Sequence, residues 1–264
     1  MDGILLVDKP RGKTSHDIVD AVRRDLGERS VGHAGTLDPL ATGLLVLGVG
    51  KATRLLEYLP GDKTYEAEVE LGVRTETDDA EGARIEELPV PSREALEAAA
   101  RAMVGELLQK PPRYSAVKVR GRKLYEYARK GREVDAPGRA VRVDELTLLS
   151  YEPPRAKFRI RGSKGLYVRS IARDLGGHVT ALRRTASGPF RIEDAGPELL
   201  PMDVALMHLP EVRLTTEELH RFETGRGVDR SADGPVRVYC GPRFVGIGTP
   251  GESGGLRPLK VLQP

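Results

Sequence analysis

Apolar positions along this chain follow two periods, and the switches between them mark out its elements. From Tyr65 to Leu71 the residues alternate strictly: Tyr65, Ala67, Val69 and Leu71 fall on one side, Glu66, Glu68 and Glu70 on the other. That is the pattern of a half-buried strand, with Tyr65 opening its inward row. Ala156 to Arg161 alternates in the same way, with Phe158 and Ile160 inward. Leu44 to Val49 is a continuous apolar run behind a glycine, and reads as a strand buried on both faces. Helical spacing appears in Ile18, Val19, Val22 and Leu26, a face that Ser15 can cap and Gly27 can end. Ser92 opens an alanine-rich helix expected to stop at Gly105, and Leu124 to Lys130 gives a short helix ended by Gly131. Strands and helices show no repeating βαβ order. The expected fold is therefore α+β, with a mixed, mainly antiparallel sheet flanked by helices.

Pro197 to Pro210 reads as a connector, which divides the chain into a main body over 1–210 and a small β-rich module over 211–264. In that module Thr215 and Glu218 form a capping box ahead of Leu219 and Phe222. Short strands follow at Val236 to Cys240 and Phe244 to Ile247, then a tail rich in Gly and Pro. So few residues bury little surface alone and depend on packing against the body. The module is either a ligand-binding unit or a stabilising lid.

One cysteine, Cys240, rules out an intramolecular disulfide framework and points to a cytoplasmic location. No apolar stretch approaches the length of a membrane span, so no membrane association is expected. Five scattered histidines provide no spaced ligand set, and no metal site is expected. The net charge of +3 says little, but its distribution says more. Lys110 to Arg132 holds nine basic residues against Glu126 alone, and Arg155 to Arg191 holds ten against Asp174 alone. Tyr114, Tyr125, Tyr127 and Tyr167 are interleaved with them. Basic runs with rings for stacking fit a surface that tracks phosphates.

The candidate chemistry lies at Gly32 to Leu45, G-H-A-G-T-L-D-P-L-A-T-G-L-L. Asp38 is a single carboxylate on a glycine-flanked turn, and Pro39 biases it away from helical geometry. By pattern it is either a turn or capping residue or a catalytic carboxylate. In the catalytic reading its apolar neighbours Leu37 and Leu40 call for a cationic partner from elsewhere. Gly48 to Thr53 imitates a phosphate-binding loop, but Leu45 stands where Gly is needed and Ala52 where Ser or Thr is needed, so nucleotide hydrolysis is not supported. No G-x-S-x-G or H-E-x-x-H occurs.

The Asp38 segment resembles the signature of the TruB-type tRNA pseudouridine synthases. Three further blocks agree in order: D-K-P-R-G-K-T-S from Asp8, Y-S-A-V-K-V-R-G-R-K-L-Y-E-Y-A-R-K-G from Tyr114 and S-K-G-L-Y-V-R-S from Ser163. The resemblance covers roughly the first 210 residues and is looser beyond. It implies a pseudouridine-synthase catalytic domain with a PUA-like C-terminal module, and isomerisation of uridine 55 in the TΨC arm of tRNA. That reaction cleaves the glycosidic bond, rotates the base and reattaches it through C5, so no cofactor is needed. By resemblance Asp38 is the catalytic aspartate, Arg169 its partner, and Tyr65 the ring that stacks on the base and removes the C5 proton. Leu182 packs beside the uracil, His33 contacts displaced loop nucleotides, and Tyr167, Lys118 and Arg120 are further RNA-binding candidates. Lys9 and Pro10 support the site, and Asp79 stands near its entrance. A monomer is expected, without guide RNA or obligate protein partner. The alternatives are a non-catalytic tRNA-binding or tRNA-folding protein, and a pseudouridine synthase for another RNA.

Overall fold

The computed structural model describes residues 1–132, 134–252 and 254–262. The chain begins with β1 (Gly3–Lys9), α1 (Ser15–Leu26), β2 (Val31–His33) and β3 (Thr42–Val49). A 3-10 stretch, Gly50–Tyr58, leads to β4 (Lys63–Leu71), followed by the hairpin of β5 (Val73–Thr75) and β6 (Arg84–Glu87). Next come α2 (Arg93–Ala102) and β7 (Gly105–Gln109), then a tight hairpin of β8 (Lys118–Val119) and β9 (Arg122–Lys123) ahead of α3 (Leu124–Ala128). The long β10 (Arg139–Glu152) and β11 (Arg155–Gly162) precede α4 (Val168–Asp174) and β12 (Gly177–Ser187). The remainder is β13 (Phe190–Arg191), β14 (Leu199–Leu200), β15 (Glu211–Arg213), α5 (Thr216–Glu223), β16 (Val236–Cys240), β17 (Arg243–Pro250) and β18 (Leu256–Val261).

Ten strands form one sheet in the order β14-β1-β3-β12-β4-β11-β10-β7, with β2 attached to β3 and β13 to β12. Only β12 and β3 run parallel in it, so the mixed, mainly antiparallel α+β architecture is the one the alternation implied. The inward row of β4 is buried as expected, Tyr65 at 8% exposure and Leu71 at 1%. Both faces of β3 are covered. Leu45 and Leu47 join the core under α1, α2 and α4, whereas Leu44 and Val46 pack with Ile4, Leu6 and Leu55 on the other side.

A second sheet, β15-β16-β17-β18, holds the C-terminal strands. It has its own core of Val238, Val245, Leu256 and Phe222, but Ile247 and Leu262 cross into the cluster of Ile4, Leu6 and Leu44. Gln263 and Pro264, part of the expected tail, lie outside the described residues.

Three boundaries differ from the sequence reading. Thr14, not Ser15, caps α1: its hydroxyl accepts from Asp17 N–H while the Asp17 carboxylate accepts from Thr14 N–H. The cap at Gly27 is left-handed as expected, φ 63°. Helix α2 ends at Ala102 and α3 at Ala128, because a turn uncoils each before its glycine. The connector is not featureless, since it contributes β14 and the 3-10 turn Met202–Leu206 to the body.

Candidate active site

A cleft of about 690 Å³ opens where the ends of β2, β4 and β12 meet the start of α4. Asp38, Tyr65, Arg169, Leu182, His33 and Tyr167 all line it. Residues up to 149 positions apart in the chain, His33 and Leu182, are thus brought together by adjacency of the central strands. The Asp38 loop is fastened from below. The buried Ser15 hydroxyl donates to the Leu37 carbonyl at 3.1 Å and accepts from Leu37 N–H at 2.8 Å. Gly12 N–H donates to the Pro39 carbonyl at 2.8 Å, and Ala41 N–H to the Asp38 carbonyl at 3.0 Å. Gly43, at φ +99°, allows β3 to meet β12; a side chain there would collide with the Arg184 backbone.

Arg169 projects from the first turn of α4 and is 6% exposed. Its Nη2 lies 2.9 Å from Asp38 Oδ2, and the carbonyls of Thr77 and Tyr114 each accept from it at 3.0 Å. The cationic partner that Asp38 called for is therefore Arg169. Asp79 is a second carboxylate, buried and 3.5 Å from Nη1 of Arg169. It is fixed by the Thr77 hydroxyl and the Glu81 N–H. Neighbouring Asp78 has its carboxyl pushed up by burial, against the pull of Arg173 and Arg169. A buried arginine held by two carboxylates and two carbonyls is rigid, and leaves Asp38, with 38% of its side chain exposed, as the carboxylate facing the cleft.

Tyr65 is the third residue of β4, opposite Ile160 on one side and Arg184 on the other. Leu182, two residues before Arg184, shares its face of β12. Burial raises the Tyr167 hydroxyl above its usual range, so it is a neutral donor at physiological pH. His33 is held below its ordinary value first by burial and then by the Arg184 charge, and acts as a neutral ring. Lys9 is fully buried beneath the loop, its Nζ donating to the Pro10 and Lys13 carbonyls; it does not line the cleft. Lys118 and Arg120 sit on the β8–β9 hairpin beyond Tyr114, Ser115 and Ala116 of the cleft wall.

Lys63, Arg184, Ser15 and Ser115 were not singled out from sequence as site residues, yet all four touch the cleft or its loop. For two of them a signal existed. Lys63 is in phase with the buried row of Tyr65, and Arg184 with Leu182 and Ala186, and a charge in phase with a core row is anomalous. Among the described residues no group of His, Cys, Asp and Glu could hold a metal, and no helix is long and apolar enough to cross a membrane.

The fold, with a cleft at the centre of its main sheet, is shared with solved structures. A chain in the crystal structure of a Cbf5–Nop10–Gar1 complex superposes with a TM-score of 0.74, covering 99% of this chain and 85% of that one at 24% identity. A chain of an H/ACA RNP bound to a substrate RNA containing 2′-deoxyuridine gives 0.73 at 22% identity, over 99% of this chain and 85% of that one, which again shows the fold. Residues 23–168 match the model of the TruB family pseudouridylate synthase N-terminal domain, and 210–262 that of the pseudouridine synthase II TruB C-terminal region. The chain belongs to the TruB family of pseudouridylate synthases. Proteins named tRNA pseudouridine synthase B from Thermobifida fusca and Geobacillus thermodenitrificans are 44% and 41% identical to it. The first alignment covers 99% of this chain and 98% of the relative, the second 100% of each.

Proposed function

We propose that this chain isomerises uridine 55 in the TΨC arm of tRNA to pseudouridine, in the cytoplasm, as a monomer without guide RNA or partner protein. The observation that carries this reading is the ion pair between Asp38 and Arg169 on the wall of a cleft that also presents Tyr65 and Leu182. The target base is extruded from the folded loop and enters between the Tyr65 ring and Leu182. Asp38, held in place by its ion pair with Arg169, is the carboxylate that brings about cleavage of the N1–C1′ bond. The detached uracil turns within the cleft, a C5–C1′ bond forms, and the Tyr65 oxygen takes the C5 proton as its own hydroxyl proton passes on to N1. Atoms balance without an oxidant or a cofactor.

Residues 1–210 form the catalytic body in this proposal, and 211–264 an RNA-binding module. His33 and Tyr167 contact RNA in the cleft, and Lys118 and Arg120 contact phosphates outside it. Asp79 and Lys9 position Arg169 and the loop. The test is release of tritium from tRNA labelled at uridine C5. The wild type should release it, and Asp38→Asn should bind tRNA about as well while losing turnover by orders of magnitude, because phosphate contacts dominate affinity. Turnover by a folded Asp38→Asn protein would remove Asp38 from the chemistry. Tight tRNA binding by a wild type that makes no pseudouridine would favour the non-catalytic alternative.

A further inference from the structure

Two cations on the cleft wall form no ion pair among the described residues. Arg184 is 1% exposed, and its guanidinium donates only to backbone carbonyls: Leu44 at 2.7 Å, Gly35 at 3.2 Å and Thr36 at 3.5 Å. Lys63 projects from β4 towards it, and its Nζ makes a single long bond, 3.3 Å, to the Gly61 carbonyl. No ion pair joins either residue to a carboxylate among the described residues, although Asp38 with Arg169, and Asp8 with Arg183, are paired nearby. Gly35, three residues before Asp38, makes room for the lysine: a Cβ there would stand 3.1 Å from Lys63 Cε and 3.8 Å from Arg184 Nη1.

Two like charges withdrawn from water and placed together are costly unless an anion joins them. The cost is visible in Lys63, whose amine is lowered to about 8, first by burial and then by Arg184. Carbonyls satisfy Arg184 geometrically, but one long bond leaves donors of Lys63 free to turn into the cleft, which it lines with Arg184, His33 and Lys164. The exposed Lys164 stands at the rim.

We infer that Lys63 and Arg184, with Lys164 at the rim, form a subsite for a backbone phosphodiester of the bound RNA, beside the nucleotide whose sugar reaches Asp38. This rests on the proposed reaction, since an extruded nucleotide brings its flanking phosphates with it into the cleft. Arg184 is the fixed half of the subsite, locked by three carbonyls. Lys63 is the adjustable half, and a phosphate offsets the burial and the Arg184 repulsion that weaken its charge. Neighbouring His33 is neutral and offers a hydrogen bond rather than charge.

The experiment measures binding of TΨC stem-loop RNAs to Asp38→Asn protein, so that no turnover intervenes. One RNA is unmodified, and the others carry an uncharged methylphosphonate at the linkage 5′ or 3′ of the target uridine. Neutralising one of these linkages should weaken binding about tenfold, the scale of a charge-assisted hydrogen bond. Adding Lys63→Met should weaken binding of unmodified RNA by a similar factor and abolish the sensitivity to methylphosphonate. Adding Lys63→Arg should keep affinity, which separates charge from packing, with thermal unfolding as the check that each variant folds. Lys63 is faced by Arg184, Asp62 and Lys164, and His33 lines the same cleft. Its charge is present below about pH 8 and lost above, so affinity of the Lys63 protein should fall as pH rises beyond 8 while the arginine variant stays flat. A Lys63→Met protein that binds as tightly as its parent, or that remains equally sensitive to both methylphosphonates, overturns the subsite. Pseudouridine formation by wild type on the unmodified RNA is scored separately, and its failure would undo the proposed reaction while the binding pattern still reported on the subsite.

Discussion

The hydroxyl of Ser15 shows how much one small group can fix. It closes both the donor and the acceptor of Leu37, the residue before Asp38, from the first position of α1. Ser15→Ala would leave a buried N–H and carbonyl unpaired at a cost of about 1–3 kcal/mol. The expected outcome is a fall in kcat with tRNA affinity nearly unchanged, because Asp38 loses its aim while the phosphate contacts remain. A kcat equal to wild type would show that the loop is held adequately by Gly12 and Ala41 alone. Arg169 makes a different point, since its planar fork serves Asp38, Asp79 and two carbonyls at once. An ammonium cannot reproduce that geometry. Arg169→Lys should therefore lose activity by about a hundredfold or more despite keeping its charge, at roughly 1.4 kcal/mol per factor of ten. Steady-state kinetics on tRNA measure it, and full activity would remove Arg169 from the site.

Between residue and molecule stands the β8–β9 hairpin, a basic element whose turn works against its own sequence. Arg120 at φ 49° and Gly121 at φ 81° occupy the two central positions, both left-handed. Glycine accepts this freely, but an arginine there is strained by about 1 kcal/mol where asparagine is favoured. Arg120→Asn should thus steady the hairpin and weaken tRNA binding, with a smaller slope of log K against log salt. Unchanged affinity and slope would take Arg120 out of the RNA interface. This turn was not legible from the sequence, because a two-residue pairing leaves no periodic signal. Longer elements were legible: the alternation of Tyr65 to Leu71, the continuous run of Leu44 to Val49 and the left-handed stop at Gly27 appear where expected. Ser15 was misread because Thr14 and Ser15 are both competent caps, and only the tertiary partner at Leu37 distinguishes them. Lys63 and Arg184 escaped notice for a related reason. Strand phase placed them inward, but basic side chains are ordinarily assigned to solvent.

Across the whole molecule, the C-terminal sheet is joined to the body by more than its connector. Ile247 and Leu262 share a core with β1 and β3, Tyr239 donates to Asp203 at 2.5 Å, and Lys260 pairs with Glu57 at 2.9 Å. Burial, then the Asp203 bond, pushes the Tyr239 hydroxyl up to about 12, so it stays a donor across the physiological range. Tyr239→Phe should cost about 1–2 kcal/mol of stability, and this loss should shrink as pH rises from the ordinary tyrosine range through 12. Denaturant titrations at neutral and alkaline pH measure both. Ending the chain after Pro210 should lower the melting temperature as well as weaken tRNA binding; an unaltered melting temperature would show that the body does not need the second sheet. The shared core also orders events during synthesis. Strand β1 is made well before Ile247 and Leu262, two of the residues that pack with Ile4 and Leu6. The same cluster backs Leu56 and Leu59 of the cleft wall. A nascent chain therefore carries part of this apolar face uncovered, and the cleft less well backed, until Ile247 and Leu262 emerge, and protection by a chaperone matters most in that interval.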